Sequence, residues 1–268
     1  MLENSGDNKV KILVCVKQVP DSSDTLAIDQ QTGRIVFKPS TVFRMNRYDE
    51  FALEEALLIK EKFPGTSVHA LSLGPKRVGT TVCRALEMGA DHGIHLIFMP
   101  EIYISPFITA WFIASYVRNR DYDLIITGVM AEDDMACQTG QFIAALLDLP
   151  YATSVISTEF QPEGGTVIAD REIEGGRRLS VRLEMPAVLT IQSGINTPRY
   201  PSLSNVMRAR TQPQEVIKIE ASDLPEQRET CSSLRLPDSA SLGTFILGSP
   251  REKAGKLLQI LHEKAFLH

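Results

Sequence analysis

The stretch from Gly128 to Gln141 carries the residue types best suited to binding a phosphate. Its sequence is GVMAEDDMACQTGQ, with a glycine where a strand should end and a Gln-Thr-Gly triplet, 138–140, where a helix should begin. Hydroxyl and backbone N–H donors at a helix start lie at the positive end of the helix dipole, which attracts anions. The spacing therefore predicts a mononucleotide phosphate site. The alternative is that Asp133, Asp134 and Thr139 only cap the helix.

Other chemical signatures do not occur in the sequence. Residues 74–81, GPKRVGTT, resemble a phosphate loop but place Thr80 where that loop needs a lysine. No GxGxxG follows the first expected strand, which disfavours a dinucleotide bound in the usual Rossmann manner. GxSxG, SxxK and HExxH motifs are missing, and the four cysteines and five histidines lack metal-ligand spacing. The sequence therefore predicts neither a catalytic nucleophile nor a metal site.

Composition narrows the class of protein further. The chain has 268 residues, 28 basic and 33 acidic side chains and a net charge of -5, which suits one large domain or a domain with an extension. It lacks the basic face that nucleic acid requires, and its apolar runs fall short of the roughly 20 residues that span a bilayer. We therefore expect no nucleic-acid partner and no direct membrane insertion. The polar N-terminus and unpaired cysteines indicate a cytoplasmic location.

Strands and helices alternate along the first 150 residues. Apolar runs at 10–16, 68–73, 94–99 and 124–127 predict buried strands. Helices are expected from an N-cap at Asn46 to Lys60, and over 78–88, 106–117 and 139–147. This alternation predicts an α/β fold with a doubly wound, mostly parallel, Rossmann-like sheet.

The pattern changes after Ser154. Period-two segments with glycine turns, up to RRLSVRLE at 177–184, predict an antiparallel hairpin added to the sheet. AVLTI at 187–191 predicts another buried strand, and a short helix is expected around 205–208. We therefore expect a nucleotide-binding domain over 1–211, and a C-terminal arm and helix over 212–268. Ser249, Pro250 and Glu252 predict a capping box at the start of that helix.

Two loops resemble those of a known family, the beta subunit of electron transfer flavoprotein. They are AEDDMACQTGQ at 131–141 and NTPRYPSLSNVMRA at 196–209. The likeness also includes KILVCVKQVPD, MNRYDEFALEEAL, ALEMGAD, REIEGG and PAVLTI in collinear order, and it covers about three quarters of the chain. The resemblance implies a heterodimer with an alpha subunit that holds most of the FAD, while the beta subunit binds AMP. It also implies a non-catalytic electron carrier between acyl-CoA dehydrogenase-type donors and a quinone reductase or other acceptor.

The resemblance assigns a cofactor-binding role to fifteen residues. Asp133 is expected at the ribose, since a carboxylate beside a phosphate is awkward. Tyr48 is expected to approach the flavin ring, or alternatively only to pack the start of its helix. The full set is Cys15, Asn46, Arg47, Tyr48, Asp49, Leu73, Gly128, Val129, Met130, Ala131, Asp133, Asp134, Cys137, Gln138 and Thr139.

The family also implies surfaces that contact other proteins. Residues 196–210 correspond to its recognition loop, in which an exposed leucine, here Leu203, anchors the electron-transfer partner within a basic rim. The alternative is an ordinary loop with one exposed leucine. Glu172 is expected to pair across the subunit boundary, and residues 212–268 to pack on the alpha subunit. The expected partner-binding residues are Glu172, Tyr200, Leu203, Met207, Arg208 and Arg210.

Two alternatives to this function stay open at the level of sequence. Another branch of the family binds a second FAD in place of AMP and splits electron pairs from NADH. The Gln-Thr-Gly triplet favours AMP, whereas Met135, Ala136 and Cys137 leave apolar room for a flavin. The second alternative is an adenine-nucleotide-dependent enzyme, which would need a phosphate-activating lysine or a metal-binding carboxylate pair.

Overall fold

A computed structural model describes residues 10–21, 27–29, 34–98, 104–226, 228–235, 243, 245–264 and 266. The expected cytoplasmic location rests partly on the N-terminal residues 1–9, which lie outside these ranges. Met99, the last residue of the third expected strand, also lies outside them. The described residues form two compact units. One runs up to Ala27 and from Phe37 to Ser232, and the other comprises residues of 28–36 and of 233–268.

Thirteen strands occur in the described ranges, most of them where apolar or period-two runs predicted them. They are β1 (Lys11–Cys15), β2 (Gln18–Pro20), β3 (Ala27–Ile28), β4 (Ile35–Val36), β5 (Phe43–Met45), β6 (Ser67–Gly74), β7 (His92–Ile97), β8 (Leu124–Gly128), β9 (Tyr151–Gln161), β10 (Thr166–Ile173), β11 (Arg177–Glu184), β12 (Ala187–Ile191) and β13 (Glu215–Lys218).

Six α-helices occur in the same ranges. They are α1 (Arg47–Lys62), α2 (Gly79–Met88), α3 (Pro106–Val117), α4 (Thr139–Leu147), α5 (Leu203–Thr211) and α6 (Pro250–Glu263). Short 3₁₀ turns lie at Lys76–Val78, Pro162–Gly164, Glu174–Gly176 and Ala221–Asp223. The predicted bounds of α3 and α4 are confirmed. The fifth helix is longer than expected because Ser202 caps it, its side chain accepting a hydrogen bond from the Asn205 amide.

Nine strands form one sheet, in the order β11-β10-β9-β12-β8-β1-β6-β7-β13. Strand β1 pairs in parallel with both β6 and β8, so the chain winds outward through β6 and β7 and then returns to the other side of β1. This reversal makes the gap between β1 and β8 the topological switch point, where open α/β sheets bind ligands. The predicted doubly wound, mostly parallel sheet is confirmed.

Alternate residues of the central strands fill two separate cores. Ile12 and Val14 of β1 face the core beneath α1 and α2, and Leu13 and Cys15 face the core beneath α3 and α4. Side chains point alternately to opposite faces of a strand, so the continuous apolar run of β1 fits a strand covered by helices on both faces.

The antiparallel addition is also confirmed. Strand β10 pairs antiparallel with β9 and with β11, while β9 joins the rest of the sheet through parallel pairing with β12. At the opposite edge, β13 pairs in parallel with β7, so residues 215–218 belong to the sheet even though the expected arm begins at 212. The docking of residues 212–268 on another subunit stays a prediction.

The second unit contains α6. Its expected capping box is present: Ser249 accepts a hydrogen bond from the Glu252 amide, and the Glu252 carboxylate accepts one from the Ser249 amide. Leu257, Leu258 and Phe266 are exposed. In the described part of the chain, no helix is long and apolar enough to cross a membrane.

Candidate functional site

A cavity opens at the switch point, beyond the carboxyl ends of β1 and β8. It holds about 870 Å³ counting its open mouth. Twelve of the fifteen residues expected to bind a cofactor line it: Cys15, Asn46, Asp49, Leu73, Gly128, Val129, Met130, Ala131, Asp134, Cys137, Gln138 and Thr139. The structure therefore brings together most of a set that is scattered over 125 positions of sequence, roughly from Cys15 to Thr139.

Asp49 joins the two strands on either side of the switch point. Its carboxylate accepts a hydrogen bond from the Lys17 amide at 2.7 Å and another from the Gly128 amide at 3.0 Å. Burial raises the pKa of Asp49 to about 7, although these hydrogen bonds favour the charged form and oppose the rise. One buried carboxyl thus fixes the separation of the ends of β1 and β8.

Gly128 is required by the close approach of α1 to the end of β8. A Cβ atom there would lie 2.4 Å from Asp49 Oδ1 and 2.8 Å from the backbone carbonyl carbon of Tyr48. Neither neighbour can move without losing the Asp49 bridge or distorting the first turn of the helix. The glycine at this strand end therefore sets the position of Asp49.

Asn46 occupies the N-cap position of α1, as predicted, but its side chain does not cap the helix. Its amide nitrogen donates to the Met130 carbonyl at 2.9 Å, and its amide oxygen accepts from the Glu132 amide at 3.1 Å. Asn46 is buried. It therefore shapes the loop after β8, and both ends of its amide are already used by that loop.

Lys17 is the main residue of the site that the sequence interpretation missed. Its ammonium group forms ion pairs with Asp133 at 2.7 Å and with Asp134 at 2.9 Å. Burial acts to lower the pKa of Lys17, but the two carboxylates outweigh it and the pKa is raised. The signal was available, because Lys17 follows directly on the first strand.

The start of α4 is open to the cavity. The Gln138 side chain makes no capping hydrogen bond, and Asp133 and Asp134 bond to Lys17 instead. In the described ranges no side chain accepts from the amides of the first turn, 139–141. Gly140 brings this helix close to the sheet, because a Cβ atom there would lie 2.4 Å from Thr190 Cγ2. The proposed role of the two aspartates as helix caps is therefore not supported.

Three expected cofactor residues do not line the cavity, namely Arg47, Tyr48 and Asp133. Arg47 is exposed and donates its amide to Glu132 Oε2 at 3.3 Å, and Tyr48 is half-buried beside Gly128. The other lining residues lie outside the set of fifteen and come partly from α3, which sequence reasoning did not connect with the site. They are Val16, Lys17, Leu71, Ile104, Pro106, Thr109, Ile113, Thr127 and Ala136.

The expected recognition loop carries a cluster of exposed apolar side chains. Tyr200 is 92% exposed, Leu203 79% and Met207 59%. Leu203 and Met207 are four residues apart on α5, so they lie on the same face of the helix. Single exposed leucines are common, but three large apolar side chains in one short segment mark a contact surface.

This segment is fastened to α1 by the ion pairs of Arg199. Arg199 forms two bonds to the buried carboxylate of Glu54, each 2.8 Å long, and a further one of 2.5 Å to Glu61. Arg208, expected in the basic rim, also donates to the Leu86 carbonyl at 3.0 Å and so ties α5 to the end of α2. Arg210 is exposed. Glu172 is exposed on β10, where its register partner on β11 is Arg178.

Comparison with known proteins defines the class to which this site belongs. The sequence model of the electron transfer flavoprotein domain matches residues 35–224. The chain is 30% identical over 262 residues to the electron transfer flavoprotein subunit beta of Methylophilus methylotrophus, covering 95% of this chain and 98% of that protein. It is 37% identical over 213 residues to the human subunit beta, covering 78% of this chain and 82% of the human protein.

The chain therefore belongs to the beta-subunit family of electron transfer flavoproteins. A third relative, the subunit beta of Bacillus subtilis, is 30% identical over 263 residues, or 96% of this chain and 99% of that protein. The resemblance noted in the two loops is confirmed. Electron transfer is the general role of this family, and the designation as a beta subunit implies an alpha-subunit partner.

Proposed function

We propose that this chain is a cytoplasmic, electron-carrying beta subunit that binds AMP in the switch-point cavity and pairs with an alpha subunit holding most of the FAD. The pair takes electrons from acyl-CoA dehydrogenase-type donors and passes them to a quinone reductase or another acceptor. The observation that carries the nucleotide assignment is the uncapped start of α4 in the wall of the cavity. Free backbone amides at a helix N-terminus form a ready-made phosphate site.

The remaining walls of the cavity suit the other parts of AMP. Leu71, Leu73 and Ile113 give an apolar side on which a purine can lie, and Gln138 and Thr139 place polar groups beside the helix start. Asn46 and Asp49 use their polar atoms to hold the backbone, so their contribution is to fix the shape of the cavity. Asp133, which the resemblance places at the ribose, does not line the cavity and is paired with Lys17.

The Lys17 ion pairs also bear on the alternatives. An ATP-splitting enzyme needs a lysine free to contact a phosphate, but Lys17 is neutralised by two carboxylates. The same bonds connect the loop after β8 to the end of β1. A second FAD in the switch-point cavity would have to fit without breaking this connection. The exposed side chain of Met135 is the feature that favours a flavin there. AMP is therefore the better match.

FAD, when bound, supplies the redox chemistry of the assembly. Among the described residues, Tyr48 is the aromatic side chain at the start of α1, beside the switch point. We assign it to the edge of the flavin that the alpha subunit presents. Its contribution there would be a ring face against the isoalloxazine rather than a proton or an electron.

Docking of electron donors is assigned to the apolar cluster of Tyr200, Leu203 and Met207. An apolar anchor gives contact energy in a small area, while nearby charges mainly speed encounter. Because Arg199 and Glu54 fix the base of the segment, the cluster is presented on a rigid support. A small, rigid contact suits a partner that must bind briefly and leave.

The test uses this chain co-expressed with its alpha subunit. We expect the purified complex to contain flavin, and a complex without flavin would refute the proposed function. Leu203→Ala should slow flavin reduction by an acyl-CoA dehydrogenase roughly tenfold or more, the usual effect of losing an interface anchor, with flavin content unchanged. Leu58→Ala, which truncates another exposed leucine, is the matched control. Equal rates for the two variants, or loss of flavin in the first, would contradict the docking role.

A further inference from the structure

A second cavity lies at the opposite end of the same strands. It opens beside the amino ends of β1, β6 and β7 and holds about 790 Å³ counting its mouth. Its walls include Lys11, His69, His92, Arg120 and Glu215. All of these residues belong to the first unit. None of them takes part in the nucleotide cavity or in the recognition loop.

Aromatic rings hold the two permanent cations of this cavity in place. The Lys11 ammonium lies 4.5 Å from the centre of the Tyr122 ring, and the Arg120 guanidinium lies 3.8 Å from that of Tyr116. Arg120 also has an acidic neighbour, Glu215, at 3.5 Å. Lys11 forms no ion pair with any residue in the described part of the chain. Among the described residues, one positive charge of the cavity therefore has no counter-charge within ion-pair distance.

His69 reports the same excess of positive charge. Its ring nitrogens lie 3.0 Å from the Tyr122 hydroxyl and 3.0 Å from the Ser67 hydroxyl, and its ring packs 4.5 Å from that of His92. Burial, with smaller contributions from His92 and Lys11, lowers the pKa of His69 to about 4, and Asp91 opposes this shift. A positive potential inside a concave surface attracts an anion.

We propose that this cavity binds a small oxyanion, such as a carboxylate, phosphate or sulfate group, between Lys11 and the His69–His92 pair. Lys11 supplies the charge, and the His92 ring supplies a hydrogen-bond donor. Both ring nitrogens of His69 are already bonded to the Tyr122 and Ser67 hydroxyls, so His69 contributes through its charge when it is protonated. Glu215 lines the same cavity and acts against the anion, so it sets an upper limit on affinity. The site is independent of the nucleotide cavity at the other end of the sheet.

Binding at this site should depend on pH with a definite sign. A bound anion stabilises the protonated form of His69 and so raises its pKa, and the reciprocal effect is tighter binding as the pH falls toward about 4. Lys11 from β1, Asp91 and His92 from the start of β7, and Tyr122 before β8 are the groups that face His69.

The test is a sulfate titration of the complex with its alpha subunit, because sulfate does not itself titrate in this pH range. Heat of binding gives the affinity, and the ring signals of His69 and His92 in histidine-labelled protein locate the site. Lys11→Met should weaken binding about fivefold and Glu215→Gln should tighten it about fivefold, the effect of one charge at short range in a solvated mouth. Lys62→Met is the matched control, because Lys62 also lies over a ring, that of Phe63.

The expected result is saturable binding that shifts both histidine signals. The sulfate affinity should fall in Lys11→Met, rise in Glu215→Gln and stay unchanged in the control. If Lys11→Met fails to fold, Glu215→Gln still tests the site, since Gln keeps the acceptor for the Tyr116 hydroxyl. Overturning results are an absence of saturable binding at millimolar sulfate, histidine signals that do not move, or equal affinity in Glu215→Gln and the native chain.

Discussion

The two cavities lie at opposite ends of the same parallel strands and are charged in different ways. At the carboxyl ends, Lys17 is neutralised by Asp133 and Asp134, and the open donors are the backbone amides at the start of α4. At the amino ends, the donors are side chains, and the Lys11 ammonium forms a cation-π contact with Tyr122 but no ion pair with any described residue. The first cavity presents fixed backbone donors, whereas the second relies on charged and polar side chains.

This difference follows from the geometry of parallel sheets. Each strand is followed by a helix whose N-terminus lies near the carboxyl edge, so that edge has fixed dipoles and long loops. Buried Asn46 and Asp49 hold those loops through hydrogen bonds to the backbone. At the amino edge, Asp123 and Asp91 also accept hydrogen bonds from backbone amides, those of Lys11 and Val68, but these bonds fix strand ends rather than long loops. A nucleotide, which needs several fixed contacts, is therefore assigned to the carboxyl edge.

The largest expected effect comes from breaking the carboxyl-edge cavity at Gly128. In Gly128→Ala the new Cβ would lie 2.4 Å from Asp49 Oδ1, so the start of α1 must shift. We expect the free energy of unfolding to fall by about 3 kcal/mol, the upper range for overpacking, with loss of bound nucleotide. Gly164→Ala is the control, because the nearest atom to its new Cβ is 3.7 Å away. Equal stability of the two variants would show that the close approach is not needed.

The next effect tests the carboxyl that bridges the two strands. Asp49→Asn places an amide N–H against one of the two backbone donors, the Lys17 and Gly128 amides. We expect the free energy of unfolding to fall by about 1–3 kcal/mol. The pKa of Asp49 is raised above its unfolded value of 3.8 to about 7, so the folded chain binds the extra proton between these values. Stability from this group is present below about pH 4 and is lost as the pH rises to about 7.

Unfolding of the native chain and the Asn variant, compared from pH 4 to pH 8, checks this sign. The advantage of the native chain over the variant should shrink as the pH rises, because only Asp49 titrates differently between the two. An advantage that grows with pH would mean that the bonds from Lys17 and Gly128, rather than burial, decide the pKa.

The smallest effect on stability is expected at Lys17. Its ion pairs are partly exposed, so Lys17→Met should change the free energy of unfolding by less than about 1 kcal/mol. It leaves Asp133 and Asp134 unneutralised beside the proposed phosphate, and AMP should dissociate faster. Lys60→Met is the matched control, because Lys60 forms an ion pair of 2.6 Å with Asp91 away from the cavity. The same AMP dissociation rate in both variants would show that Lys17 has no role in AMP binding.

Much of the fold could be predicted because its signals are local. The bounds of α3 and α4 follow from caps, prolines and apolar period, and the alternation of strands and helices leads directly to a doubly wound sheet. That sheet then explains why Cys15, Asn46 and Thr139 meet, since the ends of its central strands share one edge. The start of β7 was predicted at Ile94, two residues late, because His92 and Gly93 are poor strand formers.

The missed parts depend on contacts between distant positions. Arg199 and Glu54 are 145 residues apart, and Lys17 and Asp133 are 116 apart, so no local pattern indicates either pair. The cavity at the amino edge was missed for the same reason. His69 and His92 read as ordinary strand residues until the parallel pairing of β6 with β7 makes them register partners.

The most direct test of the central claim is the identity of the nucleotide that this subunit retains. The complex of this chain with its alpha subunit is purified without added nucleotide and denatured, and the released cofactors are separated and quantified by mass. We expect one FAD and one AMP per heterodimer, with AMP lost from the Gly128→Ala complex and retained by Gly164→Ala. Two FAD and no AMP, or AMP retained equally by both variants, would contradict it.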